Sequence, residues 1–332
     1  MEFIITDKQG SEEGYLIYKG IDIDVGGEND FEIDIDINSY DEKIHGYGCM
    51  FFKSGTEYGG IIRNHNPVTK DQVVKLGGST WRGILNQKAL EPLPGQNYRI
   101  LNGEANTVIA GLISEFGLAD LFSVSTNDSG FSFDNYQCKL QRMFVDEVSD
   151  ALNEMGARLD ISYIKGPPNG IGYVLLEVTA ITDYTDSEAF SQDSNTNVDV
   201  MDYRDGVNHL ICLGKGELSA RTRVDLYAWP DGSIKKERYY TGLDQHDEYY
   251  EYSSAEDVAT LESYGRKRLL DEMNYQQLKV SVENAEYLKL ADIIPGRDWI
   301  TGISAKVPVV QIIVQVDSNG KTKITPKLKG ES

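Results

Sequence analysis

Apolar and acidic residues alternate with a period of two along FEIDIDINSYDEK, residues 31–43. Phe31, Ile33, Ile35 and Ile37 fall on one side of an extended chain, and Glu32, Asp34 and Asp36 on the other. GIDIDVGG repeats the pattern with Asp22 and Asp24. Such alternation marks half-buried strands. Further segments of this kind, YLIYKGIDIDV, GYGCMFF and EYGGIIRNH, are split by Gly, Asn and Asp turns. Together they predict a β-meander or small barrel.

The period then changes to that of a helix. In GSTWRGILNQKAL, Ser79 or Thr80 caps a face made of Trp81, Ile84, Leu85 and Ala89. In NTVIAGLISEFG, Asn106 is the expected cap and Val108, Ile109, Leu112, Ile113 and Phe116 form the stripe. QRMFVDEVSDALNEMG repeats the design with Phe144, Val148, Leu152 and Met155, and Gly156 stops it. RLDISYI and IGYVLLEV follow as strands joined by the turn KGPPNG. A polar stretch then reads as a linker. Beyond it, HLICLGKG, TRVDLYAW and IKKERYYTG are strands, and SSAEDVATLESYGRKRLLDEM is a helix with a capping box at Ser254 and Asp257. The end returns to sheet, with Asn319-Gly320 as a hairpin turn.

These elements predict a mainly β fold with α+β insertions, built as two barrel-like tube domains, each interrupted by an inserted segment. The expected first barrel is 1–75 plus 171–185, holding an α/β insertion at 76–170. A linker at 186–206 leads to a second barrel at 207–250 plus 275–330, holding a helical insertion at 251–274.

Composition narrows the function. The chain has 53 acidic against 32 basic residues and a formal net charge of -21. A nucleic-acid grip needs cations to replace phosphate counterions, so specific nucleic-acid binding is not expected. A surface past which DNA slides without sticking is compatible with this charge. Cys49, Cys138 and Cys212 are far apart and form no CxxC pair, which predicts free thiols in a reducing cytosol rather than disulfides or a zinc knuckle. MEFIITDKQG lacks the features of a signal peptide, and the apolar run VPVVQIIVQV is too short to span a bilayer. No membrane insertion is expected.

The chemistry is sparse. Counted as a calcium loop from Asp34, Asp36 and Asn38 fit, but Ser39 replaces the required Gly and His45 the required Glu. Asp199, Asp202 and Asp205 fail similarly. His45, His65, His209 and His246 are scattered without HExxH spacing, and neither a GxSxG elbow nor a phosphate-binding glycine loop is present. Tyr239-Tyr240 and Tyr249-Tyr250 suit core or interface packing better than a sugar shelf. Lys321, Lys323, Lys327 and Lys329 read as edge protection on the closing strand. No catalytic residue, cofactor or metal is expected.

Four segments in order carry a resemblance: LGGSTWRGILNQKALEP, YRDGVNHLICLGKGE, SAEDVATLESYGRKRLLDE, and LKLADIIPGRDWITGISAKVPVVQIIVQVDSNGKTKI. The chain resembles the tail hub proteins of long-tailed bacteriophages and prophages, which include the N-terminal part of tail-associated lysins. The resemblance implies a non-enzymatic homotrimer whose paired barrels form a ring that closes the distal end of the tail tube, with a lumen for DNA. It also implies the hexameric distal tail protein, the tape measure protein and receptor-binding or tail-tip proteins as partners. The location would be the virion tail tip, after synthesis and assembly in the bacterial host cytoplasm. Ending soon after the second barrel, the chain would leave any lytic activity to another polypeptide. Asp22, Asp24, Glu32, Asp34 and Asp36 would then be a DNA-repelling lumen face. The rival expectations are a hydrolase acting on cell-wall polysaccharide or peptidoglycan, and a carbohydrate-binding module of a phage tail.

Overall fold

The computed structural model describes residues 1–167, 170–185, 196–203, 205–230, 232–255, 257–273, 275–282, 287–297 and 304–328. The fold is mainly β with helical insertions. It has two units, Met1–Asn197 with Val280–Gly296 and Ser304–Ser332, and Val198–Lys279 with Arg297–Ile303.

A ten-stranded sheet, curled into a half-barrel, forms the frame of the first unit. Its order is Ile293–Arg297, Ser304–Val316, Gly20–Val25, Asp30–Asp36, Val73–Thr80, Gly59–Val68, Met50–Phe52, Ile4–Thr6 and Glu12–Tyr15, with Thr322–Leu328 also paired to Ser304–Val316. The period-two pattern is what the sheet buries. Ile21, Ile23, Val25, Phe31, Ile33 and Ile35 all lie inside. Each such side chain contributes about 1.5–3 kcal/mol by leaving water. Phe31 packs edge-on to Phe51 at 4.5 Å between ring centroids. Glycines at 60 and 78 make room for it, because a Cβ at Gly60 would lie 2.8 Å from Phe31 Cε1 and 2.4 Å from the Ser79 carbonyl. Curling brings the start of the chain to the opposite end of the sheet. The Met1 amino group lies 3.3 Å from Thr322 Oγ1, and the Tyr18 hydroxyl donates to the Met1 carbonyl at 2.7 Å.

The hairpin at Asn319-Gly320 forms as the sequence predicts, with Gly320 at a φ of +77° and its N–H donating to the Asp317 carbonyl at 2.9 Å. Its strands depart from the expected second barrel at 207–250 plus 275–330. Ile312 to Val316 pair with Val25 to Ile21, so the closing strands complete the first sheet. Gln311 and Gln315 fit this place, since their amides donate to Asp24 and Asp22 at 2.5 and 2.8 Å. The expected linker at 186–206 lies partly outside the described residues, and Thr196–Tyr203 within it is a strand paired with Tyr275–Val282.

The insertion runs from Trp81 to Ala180 and is longer than the expected 76–170. Tyr173–Ala180, expected in the first barrel with 171–185, pairs instead with Ala157–Ile164 and, in parallel, with Phe122–Val124. A smaller two-stranded sheet joins Ile100–Glu104 to Ser132–Gln137. Helices Ala105–Glu115 and Phe144–Glu154 bury Ile109, Leu112, Ile113, Phe144, Val148 and Leu152 in the same core. That core is continuous with the barrel end through a stack of rings. Tyr163 lies 3.8 Å from Phe52 and 5.5 Å from Trp81, centroid to centroid.

Two caps differ from expectation. Helix Ala105–Glu115 is capped by Glu104, whose carboxylate accepts the N–H groups of Asn106 and Thr107. Asn106 is instead buried, accepting Val178 N–H at 2.9 Å and donating to the Asn127 carbonyl at 2.9 Å. In the other helix, Val258–Glu272, Asp257 is itself the cap, accepting Thr260 N–H at 2.7 Å.

The second unit holds a four-stranded sheet ordered Ile234–Lys235, Arg223–Ala228, His209–Leu213 and Asp247–Glu251, the last pair parallel. Helix Val258–Glu272 covers one face. Leu261, Gly265 and Leu269 pack on Leu210, Cys212 and Leu226.

Candidate functional site

The outer face of the large sheet collects the five acids singled out by the sequence. Asp22, Asp24, Glu32, Asp34 and Asp36 all alternate with buried Ile, Val or Phe and point away from the core. Cross-strand pairing sets Asp22 opposite Glu32, and Gly20 opposite Asp34. The stripe is bounded on both sides. Gln315 separates Asp22 from Lys323 on the next strand. On the other flank, Lys75 lies 2.5 Å from Glu32 and 3.9 Å from Asp34. Lys19 meets Asp36 at 2.8 Å. Hydrogen bonds from Lys19 and from Asn38 N–H hold the Asp36 carboxyl below its ordinary range. Asp30, at the end of the stripe, moves the other way, pushed up by burial and then by the charges of Asp24, Glu28 and Asp22.

A groove of about 580 Å³ runs over this face, lined by Asp22, Asp30, Glu32, Arg63, Asn64 and Lys75 among others. Its chemistry is mixed and open to solvent. Acids spaced two apart on one strand project in parallel, so they do not converge on a single ion. Among the described residues, no group of three or more His, Cys, Asp or Glu side chains could hold a metal ion.

A more enclosed cavity of about 340 Å³ brings together Glu57, Asp160 and Glu177 with Arg82, Tyr287 and Lys289. The sequence gives no signal for this grouping, because its members come from the barrel, the insertion and the closing segment. Each acid already has a partner. Arg82 grips Glu57 through Nε at 2.5 Å and Nη2 at 3.0 Å, and also donates to the Leu159 carbonyl. Asp160 accepts from Arg158, Thr179 and Lys289, and Glu177 from Ser125. Burial raises the Glu57 pKa while Arg82 opposes the rise. Gripped by Arg82 through Nε and Nη2, with the same guanidinium bonded to the Leu159 carbonyl of the insertion, Glu57 belongs to a tie between barrel and insertion.

In the second unit, His209 is buried with Nδ1 at 2.6 Å from Asp247 and Nε2 at 2.9 Å from Asp225. Its ring stacks on Tyr227 at 4.3 Å. No Ser, Thr or Cys side chain bonds to this imidazole among the described residues, so it lacks the nucleophile of a hydrolytic triad. The aromatic rings nearby are also occupied. Lys235 sits 3.6 Å over Trp229, and Arg238 5.6 Å over Tyr227. Trp229 and Tyr239 meet at 5.1 Å, and Tyr239 and Tyr240 at 5.0 Å. These contacts favour packing over a sugar shelf. Cys49, Cys138 and Cys212 are free and buried. Among the described residues, no helix is long and apolar enough to cross a membrane.

The first unit therefore joins a curled, mainly β sheet to an α/β insertion. The 43 kDa tail protein of prophage MuSo2 from Shewanella oneidensis has this fold, with a TM-score of 0.50 and 13% identity over 99% of this chain and 98% of that one. A tail protein from Neisseria meningitidis is also similar, with a TM-score of 0.48 and 12% identity over 99% of this chain and 96% of that one. The prophage tail protein gp18 from Listeria monocytogenes aligns with a TM-score of 0.48 and 12% identity, over 100% of this chain and 96% of that one. No protein-family profile and no curated protein matches the sequence.

Proposed function

We propose that this chain is a structural, non-enzymatic hub of a phage or prophage tail. Three copies form a ring that closes the distal end of the tail tube and joins it to tip or receptor-binding components. The observation that carries the reading is the end-to-end match of fold with a prophage tail protein, 99% of this chain on 98% of the other. The engagement of every acid in the one enclosed cavity described above supports a role without catalysis. The partners are the distal tail protein and the tape measure protein as well as the tip. The protein works in the virion tail after assembly in the host cytoplasm.

In this reading the stripe of Asp22, Asp24, Glu32, Asp34 and Asp36 faces the lumen. Three chains of net charge -21 then make a passage that DNA traverses without adhering. Electron microscopy of the protein with and without its distal tail partner tests the arrangement. A threefold ring with the stripe inward is expected; a monomer under both conditions, or a stripe on the outer rim, overturns it. Incubation with purified peptidoglycan tests the absence of catalysis. Release of soluble fragments would establish a hydrolase, and retention without cleavage a binding module.

A further inference from the structure

Two of the four histidines meet at the short helical turn Glu42–His45, on the connection between strands Asp30–Asp36 and Met50–Phe52. His45 is 4% exposed, and its Nδ1 accepts the backbone N–H of Asp41 at 3.0 Å. A backbone amide only donates, so Nδ1 carries no proton in this arrangement. The carbonyl of His45 lies 2.7 Å from His65 Nε2, which therefore donates to it from strand Gly59–Val68. Tyr40 lies 5.8 Å from each imidazole, and Tyr47 packs edge-on to His65 at 4.3 Å. The turn also covers the buried Cys49, whose Sγ donates to the Lys43 carbonyl at 3.3 Å.

The charged groups around the turn are largely engaged elsewhere. Asp41 Oδ1 accepts Lys43 N–H at 2.9 Å, Glu42 accepts the Tyr40 hydroxyl, and Lys43 Nζ pairs with Glu13 at 2.9 Å. Asp41 favours a charged His45 ring, whereas burial, the larger effect, and His65 oppose it. The ring therefore titrates below its ordinary value of 6.5.

We propose that the Asp41–His45 turn is an acid-released latch: a proton on His45 Nδ1 sets donor against donor at Asp41 N–H, and the segment from residue 37 to 49 detaches. The sign follows from the acceptor role. With the folded pKa lowered, the latch contributes stability at neutral pH and loses it as pH falls through 6.5 and below. Opening frees the connection between the acid-bearing strand and Met50–Phe52, and uncovers Cys49.

Hydrogen exchange of the intact chain between about pH 7.5 and about pH 5, corrected for intrinsic rates, tests this. Protection of residues 37–49 is expected to fall by up to about tenfold per pH unit, the limiting slope for uptake of one proton. His45→Asn keeps an acceptor near the Nδ1 position without titrating, so its protection is expected to stay flat. A wild-type segment whose protection does not fall, or an equal fall in His45→Asn, overturns the proposal. Should that variant fail to fold, nitrogen NMR of the wild-type ring decides. An unprotonated Nδ1 at neutral pH that gains its proton as the segment opens supports the latch, and a protonated Nδ1 at neutral pH refutes it.

Discussion

Arg158 and Asp292 stand 134 residues apart in sequence and form a buried ion pair that ties the insertion to the closing segment. Arg158 also donates through Nε to Asp160 at 2.8 Å. Asp292, 1% exposed, accepts the N–H groups of Thr182 and Lys289 at 3.1 and 2.9 Å. Breaking such a pair from one side strands a charge in a dry site. Arg158→Met is expected to destabilise the first unit by about 3 kcal/mol or more, measured by urea denaturation. Adding Asp292→Asn should recover part of the loss, because Asn still accepts one amide and carries no charge. A single variant within about 0.5 kcal/mol of wild type would show the tie to be dispensable.

Glu104 governs a second test. It accepts from Asn106 N–H, Thr107 N–H and hydroxyl, and Ser129 N–H and hydroxyl, at 2.6 to 3.1 Å. Desolvation raises its pKa, but these bonds outweigh it and lower the value from 4.5 to about 2. Depressed in the folded state, it contributes stability above about pH 4.5 that is lost as pH falls toward 2. Glu104→Gln is expected to cost about 1–2 kcal/mol at neutral pH and to flatten the acid limb of the stability profile. Unfolding midpoints taken across that range check both parts.

The third prediction concerns Gly265, where helix Val258–Glu272 presses on the four-stranded sheet. An added Cβ there would lie 2.4 Å from Cys212 Sγ and 3.0 Å from Leu226 Cδ1. Alanine gains about 1 kcal/mol of helix propensity. Overpacking typically costs about 1–3 kcal/mol, so Gly265→Ala is expected to destabilise the second unit overall. Cys212→Ala in the same chain removes the obstructing sulfur and should reverse most of the effect. Thermal unfolding of the two single variants and the double variant completes the cycle.

On the acidic stripe, stability and function separate. Asp22 and Glu32, the two exposed members, changed one at a time to Asn or Gln should each alter stability by no more than about 0.5 kcal/mol. Changed together to Lys, Asp22, Asp24, Glu32, Asp34 and Asp36 are expected to give a chain that retains DNA at low salt, with affinity falling steeply as salt rises, where the wild-type chain is expected to retain none. A filter-binding series over salt concentration measures this.

The sequence reveals faces more readily than neighbours. A two-residue period places Asp22 and Glu32 outward whatever strand lies beside them, because alternation is a property of the extended chain itself. Nothing in SAKVPVVQIIVQV specifies that Gln315 will sit against Asp22, since that contact spans 293 residues and depends on how the whole sheet curls. The hairpin at Gly320 was legible because its left-handed backbone is a local demand. The cap at Glu104 was not, because Glu is outside the usual capping residues and Asn106, which belongs to them, has its amide drawn inward to Val178 and Asn127. The cavity acids Glu57 and Asp160 were equally hidden, lying on separate elements with no spacing to link them.

The pairing of Gly20–Val25 with Ile312–Val316 also dictates when this molecule can finish folding. A ribosome delivers the first of these strands long before its mate, since the partnered Asp22 and Gln315 lie 293 residues apart. Until then one flank of Gly20–Val25 remains unpaired, an adhesive margin on a nascent chain. The alternating carboxylates that it and Asp30–Asp36 display give that margin a charge that keeps neighbouring nascent chains apart while it waits.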